Sequence, residues 1–518
     1  MQSARGTSRS YGTSATSNPA PSDNKFSTMT SSDHLMPSSP SSPTSSHVTF
    51  MVSSYTDAAI LAHTPKGEMG RGLSSILIDA ATGKLQLKSA LDVGPNPAFV
   101  VKHPHKNVLY ASTERIDADG DVVAIAMDNG DASKLRVLGR VSAQGKSTCY
   151  LNIHQSMQYM LAVNYWDAKV NLMQLDAQGN ISGVREINMQ PGASYVENNR
   201  PTREEHWQYR QRWPHSHCIV TEPYASRLHF VSDLGLDKVF VYRVDMVAGA
   251  MRLRASVDLV AGRGPRHLVF HPTLRCAFVV NELESSVTVL QYRHIAAFAE
   301  GNPSGHAVEM SSFGESKSES ILEEMQVIST LPPEWDGRGS INADGVWKAA
   351  SHASEVRLHP SGKFLYVANR GHDTLAVFRV DDNSGMLALV DYEPTGGKCP
   401  RNFNFDRSGR LLLVGNQDSN LVSSFFVDMS SGRLTPADSL SVPSPNYIYA
   451  VPTSAEERAP LHDNFIPASN ITQEQCKASS PMSLSPMIPQ MQIPQFAHVS
   501  VVEPATGAAV SLSVPKAA

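Results

Sequence analysis

The chain has no run of uncharged apolar residues long enough to cross a bilayer, so no transmembrane helix is expected. It also lacks a dense basic cluster: 44 Lys and Arg against 49 Asp and Glu give a formal charge of -5. That balance argues against the basic face that nucleic acid requires, and leaves room for a small basic pocket suited to a small anionic ligand. Cysteine is scarce, with five widely spaced residues (Cys149, Cys218, Cys276, Cys399, Cys476) and no C-x-x-C pair. Such spacing speaks against a zinc ribbon or a disulfide framework and for a reducing compartment. No His, Cys, Asp or Glu cluster has metal-ligand spacing, so neither a metal nor another cofactor is expected. The N-terminus lacks the apolar stretch of a secretory signal, although Arg5 and Arg9 in a Ser/Thr-rich setting leave a transit peptide as a minor alternative. The expectation is a soluble, cytoplasmic protein.

Hydrophobic period is missing at both ends. Residues 1–46 are mostly Ser, Thr, Pro and small polar residues, and residues 454–518 carry Pro and Met in SPMSLSPMIPQMQIPQ. Such segments bury too little apolar surface to offset the entropy of ordering, so two disordered tails are expected around a folded domain over 47–453.

Within that domain one pattern recurs, most clearly in SEVRLHPSGKFLYVANRGHDTLAVFRVDDNSGML (354–387). VRLH, FLYVAN and TLAVFRV read as strands separated by the turns PSGK and GHD, and DDNSG turns into a fourth strand. Four antiparallel strands per unit make a propeller blade. Equivalent turn positions fall at Pro104, Gln155, Pro223, Pro272, Pro360 and Arg407. The base period is about fifty residues, lengthened by two insertions, about 185–212 and about 294–350. A further blade is assembled from both ends: VTFMVSSYT (48–56), SSILID (74–79) and GKLQLKSALDV as outer strands, PNYIYAV (445–451) as the inner one. The predicted fold is therefore an all-β, seven-bladed propeller closed by N- and C-terminal strands, which removes exposed sheet edges.

The repeat also locates a site. The start of the first strand and the end of the second are neighbours across a hairpin, at the end of the blade away from the turn. With first strands innermost, these positions surround one mouth of the central channel. They are Ala98, Cys149, His217, Arg266, Ser354 and Arg401 on first strands, and Glu114, Tyr165, Leu234, Glu282, Arg370 and Gln417 after second strands. The side chains vary while their surroundings repeat, as expected for a pocket whose walls do different jobs. Arg266 and Arg370 are suited to hold an anion, with Arg401, Tyr165, Glu114 and Gln417 as further substrate contacts. Glu282 and His217 are candidate bases, and a guanidinium or imidazolium near the carbonyl would stabilise an oxyanion.

The strings PHSHC (214–218), DLGLDKV (233–239), GPRHLVFHP (264–272), NELESSV (281–287) and HPSGKFLYVANRGHDTLAVF (359–378) resemble the lactonase propeller family. That family includes 6-phosphogluconolactonases and fungal carboxymuconate lactonising enzymes, and the resemblance covers about 48–452. It implies a catalytic set of His217, Arg266, Glu282 and Arg370, and a small anionic lactone as substrate. Hydrolysis of 6-phosphogluconolactone is the expected activity. A carboxymuconate cycloisomerase and a non-catalytic binding platform are the alternatives. Each residue also has a plain structural reading: Arg266 and Glu282 as a cross-strand ion pair, His217 as a packed channel histidine, His215, His267 and His359 as backbone-binding groups, Asp233 and Asp237 as turn caps.

Overall fold

A computed structural model describes residues 47–191, 210–211, 213–225, 227–293, 320–335, 337, 340–341, 347–348 and 350–452. The two predicted tails, and most of both predicted insertions, lie outside these residues. Seven four-stranded antiparallel sheets are present, each a blade. The first strands of successive blades touch one another around the circle, so they are the innermost.

Burial follows the pattern written in the sequence. Inner strands such as Thr148–Ile153 are buried throughout, because a neighbouring blade packs against each of their faces. Outermost strands such as Leu135–Ser142 alternate between half-buried and exposed. Every outermost strand also slips register against its neighbour, a bulge that twists the free edge and hinders edge-to-edge pairing. Buried tyrosines tie blades together: Tyr110 donates to the Gly179 carbonyl and Tyr366 to the Gly432 carbonyl, both at 2.5 Å.

The circle closes as the repeat requires. Pro445–Ala450 is the inner strand of the blade completed by His47–Ser54, Leu73–Asp79 and Leu85–Leu91. Phe50 pairs with Ala450 and Val52 with Ile448, so residues from opposite ends of the domain share one sheet. The predicted insertions are narrower than their sequence bounds. Ile181–Met189 and Leu322–Ser329 are the outermost strands of their blades. The strand character of 185–189 and 322–329 is hidden in the sequence because these edge segments are polar on one face.

Candidate active site

The geometry of the mouth starts from a repeated defect. In every blade the inner strand slips register at its first residues. The extra residues are Ala98, Cys149, His217, Arg401 and Asn446, with the pairs Arg266-His267 and Ser354-Glu355 in the fifth and sixth blades. A bulge frees one residue from the ladder and re-aims its side chain. The positions singled out by the repeat are therefore the bulged ones, which is why their side chains are free to vary.

Glu282 is the centre of a cluster of arginines. Its side chain is 2% exposed, and its Oε2 lies 3.0 Å from Arg266 Nε and 3.1 Å from an Arg370 terminal nitrogen. Its Oε1 accepts from Arg210 at 2.9 Å and lies 3.5 Å from His352 Nδ1. Burial pushes this carboxyl upward, but Arg370, Arg210 and His352 outweigh it and hold it well below the usual carboxylate range. Arg266 is fixed from two sides, donating to the Ser354 carbonyl at 2.7 Å and lying against the His267 ring. Its Nε meets Glu282 as a charge contact without hydrogen-bond alignment. Arg370 is also engaged by backbone, reaching the carbonyls of Ala353 and His352 at 3.2 and 3.4 Å.

The loop carrying Arg266 is positioned by the blade before it. Asp237 accepts from the Gly264 and Gly262 amides at 2.7 and 2.8 Å. Asp233 accepts from the His215 and Leu236 amides and the Ser216 hydroxyl. Gly264 has φ +64°, and a Cβ there would collide with Leu283, so only glycine allows the loop to approach.

His217 is buried between Tyr165 and His267, with ring centroids 5.1 Å from each. Burial, then Arg266 and His267, hold its pKa well below the ordinary histidine value, so the ring is neutral near pH 7. Its Nδ1 is buried and has no hydrogen-bond partner among the described residues. Tyr165 receives a hydrogen bond from Arg210 at 3.1 Å and stacks on His215, whose Nδ1 contacts the Tyr165 carbonyl. His267 faces Glu355 at 3.3 Å.

The opposite side of the mouth is built differently. The Arg401 guanidinium sits 5.3 Å from the centre of the Tyr55 ring. Among the described residues it has no ion-pair partner. Tyr55 donates to Glu114 Oε2 at 3.1 Å. Gln417 donates to Asp418, and its Oε1 is buried without a partner among the described residues. Ala98, Cys149, Ser354 and Leu234 are buried: Ser354 bonds the carbonyls of Ala368 and Pro400, and Cys149 contacts the His217 carbonyl.

Four residues escape the repeat count. Tyr55 and Asn446 occupy the two equivalent positions of the composite blade, whose first and second strands are not joined by a turn from which to count. Arg210 enters from the segment joining the third and fourth blades, outside the repeat. His352 precedes the counted position by two residues and pairs directly with Arg370. Among the described residues no group of three or more His, Cys, Asp or Glu could hold a metal ion, and no helix is long and apolar enough to cross a membrane.

The chain is 31% identical over 377 residues to a 6-phosphogluconolactonase of Bacillus subtilis, covering 72% of this chain and 93% of that one. It is 26% identical to a 6-phosphogluconolactonase of Formosa agariphila over 371 residues, 70% of this chain and 91% of that one. The fold is shared with a periplasmic gluconolactonase of Pseudomonas aeruginosa at TM-score 0.63 and 24% identity, covering 79% of this chain and all of that chain. The family described as Lactonase, 7-bladed beta-propeller matches residues 49–303 and 306–450. Those matches run through every blade and both halves of the mouth, and the chain belongs to the seven-bladed β-propeller lactonase family.

Proposed function

We propose that this protein hydrolyses a phosphorylated sugar lactone, 6-phosphogluconolactone, to 6-phosphogluconate, the second step of the pentose phosphate pathway. The observation that carries this reading is one mouth in which a neutral histidine with an unpartnered nitrogen adjoins Arg266 and the arginine-clamped Glu282. The neutral His217 imidazole takes the proton of a water as its oxygen attacks the lactone carbonyl. Arg266, already desolvated and fixed, faces the oxyanion that forms. Glu282 serves as the counter-charge that keeps Arg266, Arg370 and Arg210 together, because both of its oxygens are already committed to cationic neighbours. Arg401, which has no ion-pair partner among the described residues, offers its guanidinium for the phosphate, with Arg370, Tyr165 and Gln417 lining the approach. The four described cysteines are all free, which supports a cytoplasmic setting.

The test is release of 6-phosphogluconate by purified protein. We expect turnover with kcat/KM above about 10⁴ M⁻¹s⁻¹, unchanged by exhaustive chelation. Cyclisation of carboxymuconate with no lactone hydrolysis would assign the mouth to the cycloisomerase branch. Inertness toward both would favour a binding platform.

A further inference from the structure

Two carboxyl groups stand at this mouth in opposite circumstances. Glu282 is clamped by three guanidiniums. Glu114, 6% exposed, accepts one hydrogen bond from the Tyr55 phenol and has no cation at ion-pair distance among the described residues. The groups facing Glu114 come from four blades: Tyr55, Arg401, Arg266 and Cys149. Burial raises the Glu114 carboxyl above its ordinary value, and the more distant Arg401, the Tyr55 hydroxyl and Arg266 only partly offset that. Tyr55 and Cys149 are themselves pushed up by burial and stay protonated.

Lactone opening needs an acid as well as a base. A base accepts a proton from water, and the ring oxygen must gain a proton as its bond to the carbonyl carbon breaks, since a sugar alkoxide is a poor leaving group. A carboxyl kept protonated by burial can supply the proton that a general acid must give. We infer that Glu114 is the general acid, donating its proton to the ring oxygen of the lactone as the tetrahedral intermediate collapses. The water proton goes to His217 and the Glu114 proton to the departing hydroxyl. The products are the open hydroxy acid, a Glu114 carboxylate and a His217 imidazolium, and exchange with solvent restores both. This role rests on the hydrolase reading above, and it assigns Glu114 to the reaction itself where the sequence suggests only a substrate contact.

Glu114→Gln keeps the shape and the acceptor but holds no acid proton. We expect kcat to fall roughly a hundredfold with a modest change in KM. The wild-type rate should decline as pH rises through the Glu114 pKa, and that alkaline limb should vanish in Glu114→Gln. Tyr55→Phe removes a donor that favours the carboxylate, so its alkaline limb should move to higher pH. An infrared difference between wild type and Glu114→Gln, recorded at the pH of maximal activity, should show the C=O band of a protonated carboxyl. A wild-type protein without lactonase activity overturns the hydrolase reading itself. With wild-type activity intact, full turnover in Glu114→Gln or a missing carboxyl band overturns the role of Glu114 alone.

Discussion

The two ends of the inner hairpins obey opposite rules. At the turn end the same solution recurs: the Nδ1 atoms of His103, His154, His271 and His359 accept a backbone N–H from two or three residues ahead, at 2.9 to 3.1 Å. Where the histidine is replaced, Glu222 and Asp406 accept the equivalent amide. At the mouth the backbone recurs as a bulge and the side chains do not: Ala98, Cys149, His217, Arg266, Ser354, Arg401 and Asn446 share one position. A residue whose task is local folding converges on one chemistry. Residues that share a frame and diverge in chemistry are divided among different tasks.

The sharpest way to break this comparison is to remove the frame on which both ends depend. A chain stopping at residue 440 loses the inner strand Pro445–Ala450, which uncovers the edge of His47–Ser54 and unpacks the inner strands of both neighbouring blades. We expect loss of the cooperative thermal transition; full stability would contradict closure by this strand. The next largest effect is Glu282→Gln, which leaves buried guanidiniums without their counter-charge. It should cost about 3–5 kcal/mol in denaturant unfolding and lower turnover as Arg266 loses its place. Arg401→Ala at the mouth should instead leave stability nearly unchanged and raise KM, since a charge-assisted contact is worth about 1.5–3 kcal/mol. An unaltered KM would place the substrate phosphate elsewhere.

Turn-end changes should be the smallest. His154→Ala unpartners the Ser156 amide and should cost about 1 kcal/mol. Burial lowers the His154 pKa to about 4, so the folded state favours the neutral acceptor. The unfolded chain binds this proton more readily. The stabilisation is therefore complete above about pH 6.5 and lost as pH falls toward 4. Thermal melts of wild type and His154→Ala across that range should converge toward acid pH. A constant gap would remove this histidine from the pH response.

Much of the mouth is legible in the sequence because the turn end fixes the register. Counting back from Pro360 or Pro272 reaches the bulged residue, and counting forward through the second strand reaches Arg370 or Glu282. The count cannot see partners that leave the repeat. Arg210 arrives from an interblade segment and still supplies a close contact to Glu282. His352 becomes its neighbour through the pairing of His352 with Arg370. Nor does a residue type reveal its state: the sequence makes Glu282 a candidate base and Glu114 a substrate contact, but their opposite environments appear only in the folded mouth. The same applies to Arg370 and Arg401, equally suited to an anion by type, of which Arg370 is engaged by Glu282 and two carbonyls.

The most direct test of the account sets one histidine from each end against the other. Steady-state hydrolysis of 6-phosphogluconolactone should be measured for folded His217→Ala and His154→Ala alongside wild type. The account predicts that kcat falls roughly a hundredfold in His217→Ala and stays at the wild-type value in His154→Ala. Equal turnover in the two variants, or a loss confined to His154→Ala, would contradict it.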